Sequence, residues 1–173
     1  MKLVPLGTTG YHPNELRQTA CYLLPESGAV FDAGTGAYRL SDHLLGDELD
    51  IFLSHAHLDH IVGLTFLLET FHRRPMRRAT VHGEPQKLAA VREHLFHVDL
   101  FPVSIDVEWR ALAERVTLCD GGVVTHFPVP HPGGAVGFRV DWPRRSLAYV
   151  TDTTAALDAK YVEAIRGVDL LLH

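Results

Sequence analysis

Residues 55–60 read His55-Ala56-His57-Leu58-Asp59-His60, and this segment constrains the chain more than any other. It packs three imidazoles and a carboxylate into six residues. Before it, Asp50-Ile51-Phe52-Leu53-Ser54 reads as a short apolar strand. After it, Ile61, Leu64, Leu67 and Leu68 recur at helical spacing. The cluster therefore sits where a strand ends and a helix opens. Imidazole nitrogen and carboxylate oxygen are the natural ligands of zinc and similar divalent ions. In extended chain, side chains two apart share a side, so His55 and His57 project together. Asp59 and His60 fall at the helix entry and serve a second position, so the spacing suits two adjacent ions rather than one.

The rest of the chain supports a folded enzyme-sized domain. With 173 residues, 46% apolar and 21% charged, it carries enough hydrophobic material for a core without disulfides. Cys21 and Cys119 are its two cysteines and form no C-x-x-C pair, which excludes a disulfide scaffold and a cysteine zinc ribbon. A net charge of -5 excludes a broadly basic, nucleic-acid-coating surface. The apolar run Ile61–Leu68 is too short to span a bilayer, and the stretch Met1–Gly7 has no long apolar segment. The expectation is a soluble cytoplasmic protein that does not engage membranes.

Short strands are expected at Lys2–Leu6, Thr19–Leu24, Ala29–Phe31, Asp50–Ser54, Thr80–His82, Val103–Trp109, Arg115–Leu118, Val123–Val129, Ala135–Val140, Leu147–Thr151 and Asp169–Leu172. Helices are expected over Tyr38–Leu45, from Ile61 through Leu68, over Gln86–Leu95 and over Ala156–Ile165. With no internal repeat or linker, the pattern predicts one α+β layered domain over residues 1–173. Arg73, Arg74, Arg77 and Arg78 form a local basic cluster, which fits a solvated face or a patch that attracts phosphate.

The His55–His60 segment is the signature of the metallo-β-lactamase superfamily, and the chain resembles that family well beyond it. The resemblance implies an αβ/βα sandwich with a dinuclear metal site along one edge of its sheets. His131, in Val129-Pro130-His131-Pro132-Gly133-Gly134, matches the family's later histidine. Asp152, in Val150-Thr151-Asp152-Thr153, matches its bridging aspartate. By resemblance, His55, His57 and His131 hold one metal, Asp59 and His60 the other, and Asp152 bridges. Two divalent ions are implied, zinc first, with manganese or iron as alternatives. They would share a water made acidic enough to attack at neutral pH, oriented by Asp59 or Asp152. Asp32, in Phe31-Asp32-Ala33-Gly34, matches a position that orients a metal-bound histidine; an Asx-type turn is its plainer reading.

The opening Leu6-Gly7-Thr8-Thr9-Gly10 resembles tRNA 3′-processing endonucleases and cyclic phosphodiesterases, and the Thr-Asp-Thr setting of Asp152 is typical of those branches. The resemblance therefore implies a phosphodiesterase or ribonuclease Z-like enzyme. The short interval between His131 and Asp152 leaves no room for the tRNA-gripping arm, which favours a small cyclic phosphate over RNA. The C-terminal part of the second half, with the family's last metal-two histidine and its proton-transfer histidine, is expected to be missing. The alternatives are an arm-less tRNA 3′-processing endonuclease and a split chain that binds metal but needs a second copy or a completing chain.

Overall fold

The computed structural model describes residues 2–156 and 158–173. They form two compact units, Met1–Ala111 and Leu112–His173, each with its own sheet.

The first unit carries six strands in sequence order: β1 (Val4–Gly7), β2 (Cys21–Leu24), β3 (Ala29–Phe31), β4 (Glu48–Phe52), β5 (Arg78–Gly83) and β6 (Glu108–Ala111). The first three are antiparallel neighbours, with β2 and β3 forming a hairpin. From β3 onward the pairing is parallel. Parallel pairing requires crossovers, and helices supply them. A 3-10 turn (Thr35–Arg39) and α1 (Leu40–His43) link β3 to β4. Next come α2 (Leu58–Ile61), a 3-10 stretch (Val62–Phe66) and α3 (Leu67–Arg73). Last is α4 (Pro85–Ala90), whose entry proline needs no hydrogen-bonded N–H; it runs into a π-helical turn, Val91–Leu95.

Strand alternation explains the core. Val30, Leu49, Ile51, Ala79 and Val81 pack against Ala37, Leu40, Ile61, Leu64, Leu67 and Leu88. The intervening Phe31, Asp50, Phe52, Thr80 and His82 are buried as well. Burial on both faces is usual for parallel strands and is why they read as apolar runs.

The second unit has a sheet ordered β11-β10-β9-β8-β7, built from β7 (Val116–Thr117), β8 (Val123–Val129), β9 (Ala135–Trp142), β10 (Arg145–Tyr149) and β11 (Leu170–Leu172). β9 and β10 form a hairpin whose two-residue turn is Pro143-Arg144. β11 joins β10 in parallel after α5 (Tyr161–Ile165). Phe127, Val129, Val150 and Tyr161 form a small core under that helix.

Three expectations change in detail. The strand expected over Val103–Trp109 is confined to β6, because β5 offers ladder positions only from Thr80 to Gly83, opposite Glu108 to Ala111. Ile105 and Val107 pack on the core from irregular chain instead. The helix expected over Tyr38–Leu45 is a 3-10 turn followed by one α-helical turn. The helix expected over Ala156–Ile165 is regular only in α5; Leu157 lies outside the described residues. Among the described residues, no helix is long and apolar enough to cross a membrane.

Candidate metal centre

In the first unit, β4 stops at Phe52, the chain bends at Ser54, and His57 is extended, with φ of -70° and ψ of 148°, just before α2. This short non-helical link carries His55 and His57 ahead of the helix. His55 is buried and His57 exposed, and their rings meet edge to face with centroids 4.4 Å apart. The turn into α2 brings back His60, buried, with its ring 4.3 Å from that of His55. Its Nε2 lies 3.2 Å from Asp59 Oδ2, so an imidazole nitrogen and a carboxylate oxygen converge.

Asp32 organises the cluster from beneath. It is fully buried just past β3, and its carboxylate accepts hydrogen bonds from the Ser54 amide (2.7 Å), the Ser54 hydroxyl (2.7 Å) and His60 Nδ1 (2.7 Å). Since the Ser54 hydroxyl donates to Asp32, its oxygen accepts from His55 Nδ1, 3.0 Å away. One carboxylate thus sets the tautomer of two imidazoles, placing their protons on Nδ1 and their lone pairs on Nε2. That is the arrangement that makes histidine a metal ligand.

The backbone around this hub is clamped. Ala33 N–H donates to the His60 carbonyl at 2.8 Å, and Gly63 N–H donates to the Ala33 carbonyl at 2.8 Å. The Thr19 hydroxyl donates to the Asp59 carbonyl at 2.7 Å. A side chain at Gly63 would place its Cβ 2.1 Å from the Gly34 carbonyl oxygen, so only glycine allows the close approach.

In the second unit, His131 follows β8 in a turn where Gly133 and Gly134 both have positive φ. Its Nδ1 donates to the Asp152 carbonyl at 2.8 Å, which again leaves the lone pair on Nε2. Asp152 follows β10 and takes a left-handed backbone, φ 57°. Asp32 does the same at φ 58°. Among the described residues, the only other non-glycine with positive φ is Tyr11, at 27°. Such conformations cost about 1–3 kcal/mol each and cluster at functional sites.

In each unit taken by itself, the donor types are those that suit a divalent ion. Three of the histidines, His55, His60 and His131, have Nδ1 committed to an oxygen acceptor, and Asp59 and Asp152 supply hard oxygen.

Ser54 and Thr19 were not among the residues singled out by sequence, although both act directly on the cluster. Of the remaining histidines, His82 belongs to a separate buried ion network. Its Nε2 lies 2.9 Å from Asp50 Oδ1, Arg78 donates to Asp50 Oδ2 at 2.6 Å, and the His82 ring stacks on Phe52. Burial alone would raise the Asp50 carboxyl, but hydrogen bonds from Arg78 and His82 and their charge outweigh it and bring it down to about 2. Each arginine of the basic cluster has an intramolecular partner, a carboxylate for three of them and a carbonyl for Arg74. Arg73 pairs with Asp42, Arg74 donates to the Leu45 carbonyl, Arg77 pairs with Glu48 and Arg78 with Asp50.

A family model described as a beta-lactamase superfamily domain matches residues 29–173. The chain belongs to the metallo-β-lactamase superfamily. Ribonuclease Z of Bradyrhizobium diazoefficiens is 34% identical over 134 residues, 73% of this chain and 44% of that protein. Ribonuclease Z of Methanococcus maripaludis strain C6 is 31% identical over 164 residues, 87% of this chain and 53% of that protein. These relatives place it in the ribonuclease Z-like branch. The chain spans about half the length of these curated relatives. The metallo-β-lactamase fold expected from the sequence is the one observed. The zinc-bound crystal structure of PqqB from Methylobacterium extorquens is similar with a TM-score of 0.75 at 17% identity, over 98% of this chain and 71% of that one.

Proposed function

We propose that the chain carries the ligands of a metal-dependent phosphodiester hydrolase. The observation that carries this reading is the Asp32 hub, which orients His55 and His60 as ligands through buried hydrogen bonds. His55, His57 and His131 would hold one ion, Asp59 and His60 a second, with Asp152 shared. When bound, the ions supply Lewis acidity that makes water a competent nucleophile at neutral pH and offsets negative charge on the phosphoryl oxygens. Imidazole and carboxylate donors favour zinc, with manganese and iron as the other candidates. The chain's own residues then position the reaction. Asp32 holds the His60 proton on Nδ1. Asp59 or Asp152 accepts a hydrogen bond from the attacking water and aims it at phosphorus. A small cyclic phosphate is the first substrate class. Processing of the tRNA 3′ end is the second, favoured by the identity with ribonuclease Z proteins. A homodimer or a completing chain is compatible with either.

Metal analysis of the 173-residue chain should find up to two equivalents of zinc, with His57→Ala losing most of one. Turnover of an aryl phosphodiester should exceed that of a β-lactam or a glutathione thioester. Stoichiometric zinc retained after joint loss of His55, His57 and His131 would overturn the ligand assignment. Thioester cleavage without phosphodiester cleavage would overturn the reaction class.

A further inference from the structure

The loop between β1 and β2 is braced at its base and bare at its tip. The amides of Thr8 and Thr9 both donate to the Gln18 carbonyl, at 2.8 and 3.0 Å. The Asn14 side chain accepts from the amides of Leu16 and Arg17, at 3.0 and 2.9 Å. At the tip, Tyr11 is 86% exposed. An exposed tyrosine with a strained backbone gains nothing for the core. Its ring meets His12 edge to face, with centroids 5.3 Å apart. His12 is itself held by a hydrogen bond from Nδ1 to the Pro13 carbonyl at 2.9 Å. Tyr11 and His12 line an open cleft of about 610 Å³ together with Ala56, His57, Leu58 and Asp59. The aromatic pair therefore shares a cavity with two of the proposed metal ligands.

We propose that Tyr11, steadied by His12, is a specificity-determining residue that stacks on the nucleobase of a nucleotide-type phosphodiester whose phosphate lies at the His57–Asp59 end of the cleft. The inference rests on the phosphodiester hydrolase reading and narrows its substrate class. A planar π-face is what an exposed aromatic ring recognises, and nucleobases are the planar groups that accompany phosphodiesters. Stacking on one aromatic side chain commonly changes affinity by an order of magnitude and tolerates any base. The left-handed backbone at Tyr11 fits the same role, because such conformations cluster at functional sites.

The test compares adenosine 5′-monophosphate with ribose 5-phosphate, which keeps the sugar and phosphate and lacks the base. Calorimetric titration of the zinc-loaded chain should give roughly tenfold tighter binding of the adenosine compound. The Tyr11 ring protons should shift upfield in that complex only. Tyr11→Ala should abolish the preference and leave ribose 5-phosphate binding unchanged, and Tyr11→Phe should retain the preference. Equal binding of the two compounds, binding of neither by the zinc-loaded chain, or a preference that survives in Tyr11→Ala overturns the stacking role alone. A chain that takes up no zinc overturns the hydrolase reading, and this inference with it.

Discussion

Replacing Asp32 by asparagine separates the charge of the hub from its shape. Asparagine is nearly isosteric and, like aspartate, tolerates the left-handed backbone that this position requires. The aspartate accepts three buried hydrogen bonds, each 2.7 Å long. An asparagine offers one acceptor oxygen and one NH₂ in the same space. If its oxygen keeps the Ser54 amide, the NH₂ meets the Ser54 hydroxyl and His60 Nδ1, both acting as donors. The serine can rotate, but His60 must move its proton to Nε2 and so surrender its ligand lone pair. If the amide turns the other way, the Ser54 N–H loses its acceptor. Either orientation removes charge-assisted bonds that contribute about 1.5–3 kcal/mol each and substitutes weaker or missing ones. The net destabilisation should be about 3 kcal/mol, read by urea unfolding in the presence of a chelator. Metal affinity should fall roughly 10–100-fold, read by competition with a chromophoric chelator. A variant with both stability and zinc affinity at the parent values would refute the reasoning, since it would mean the hub neither holds the fold nor sets the tautomer.

Two further outcomes are expected. The Asp50 carboxyl is held at about 2 in the folded chain, against about 3.9 when unfolded. Its contribution to stability is therefore complete above the unfolded value and is lost as pH falls through about 2; Asp50→Asn should flatten urea-unfolding stability over that acid range, and an unchanged slope would count against the network. Gly63→Ala should destabilise by about 3 kcal/mol because its Cβ meets the Gly34 carbonyl at 2.1 Å and Ala37 Cβ at 2.6 Å. Gly46→Ala, whose Cβ would come no closer than 4.0 Å to a neighbour, is the control with an unfolding midpoint near the parent's.

The histidine segment was legible from sequence because its geometry is local. A strand end followed by a helical turn to His60 is dictated by neighbouring residues, and the structure has an extended His57 leading into that turn. The apolar runs of β3, β4 and β5 were legible for the same reason, since parallel strands buried on both faces leave a continuous hydrophobic trace. What the tertiary structure alone decided are the partners that lie far along the chain. Ser54 reaches Asp32 across 22 residues, and Thr19 reaches Asp59 across 40; serine and threonine are too common for their spacing to signal such bonds. The acidic partners of Arg73, Arg77 and Arg78, about thirty positions away, are likewise invisible in a local window. The prominence of Tyr11 was equally hidden. A left-handed backbone is announced in sequence by glycine, and at Tyr11 a bulky residue adopts it, with the bracing of the surrounding loop to hold it there. Periodicity and local donor spacing thus determined the elements and the donor types, and hydrogen bonding in the folded chain decided that His55, His60 and His131 carry their ring protons on Nδ1.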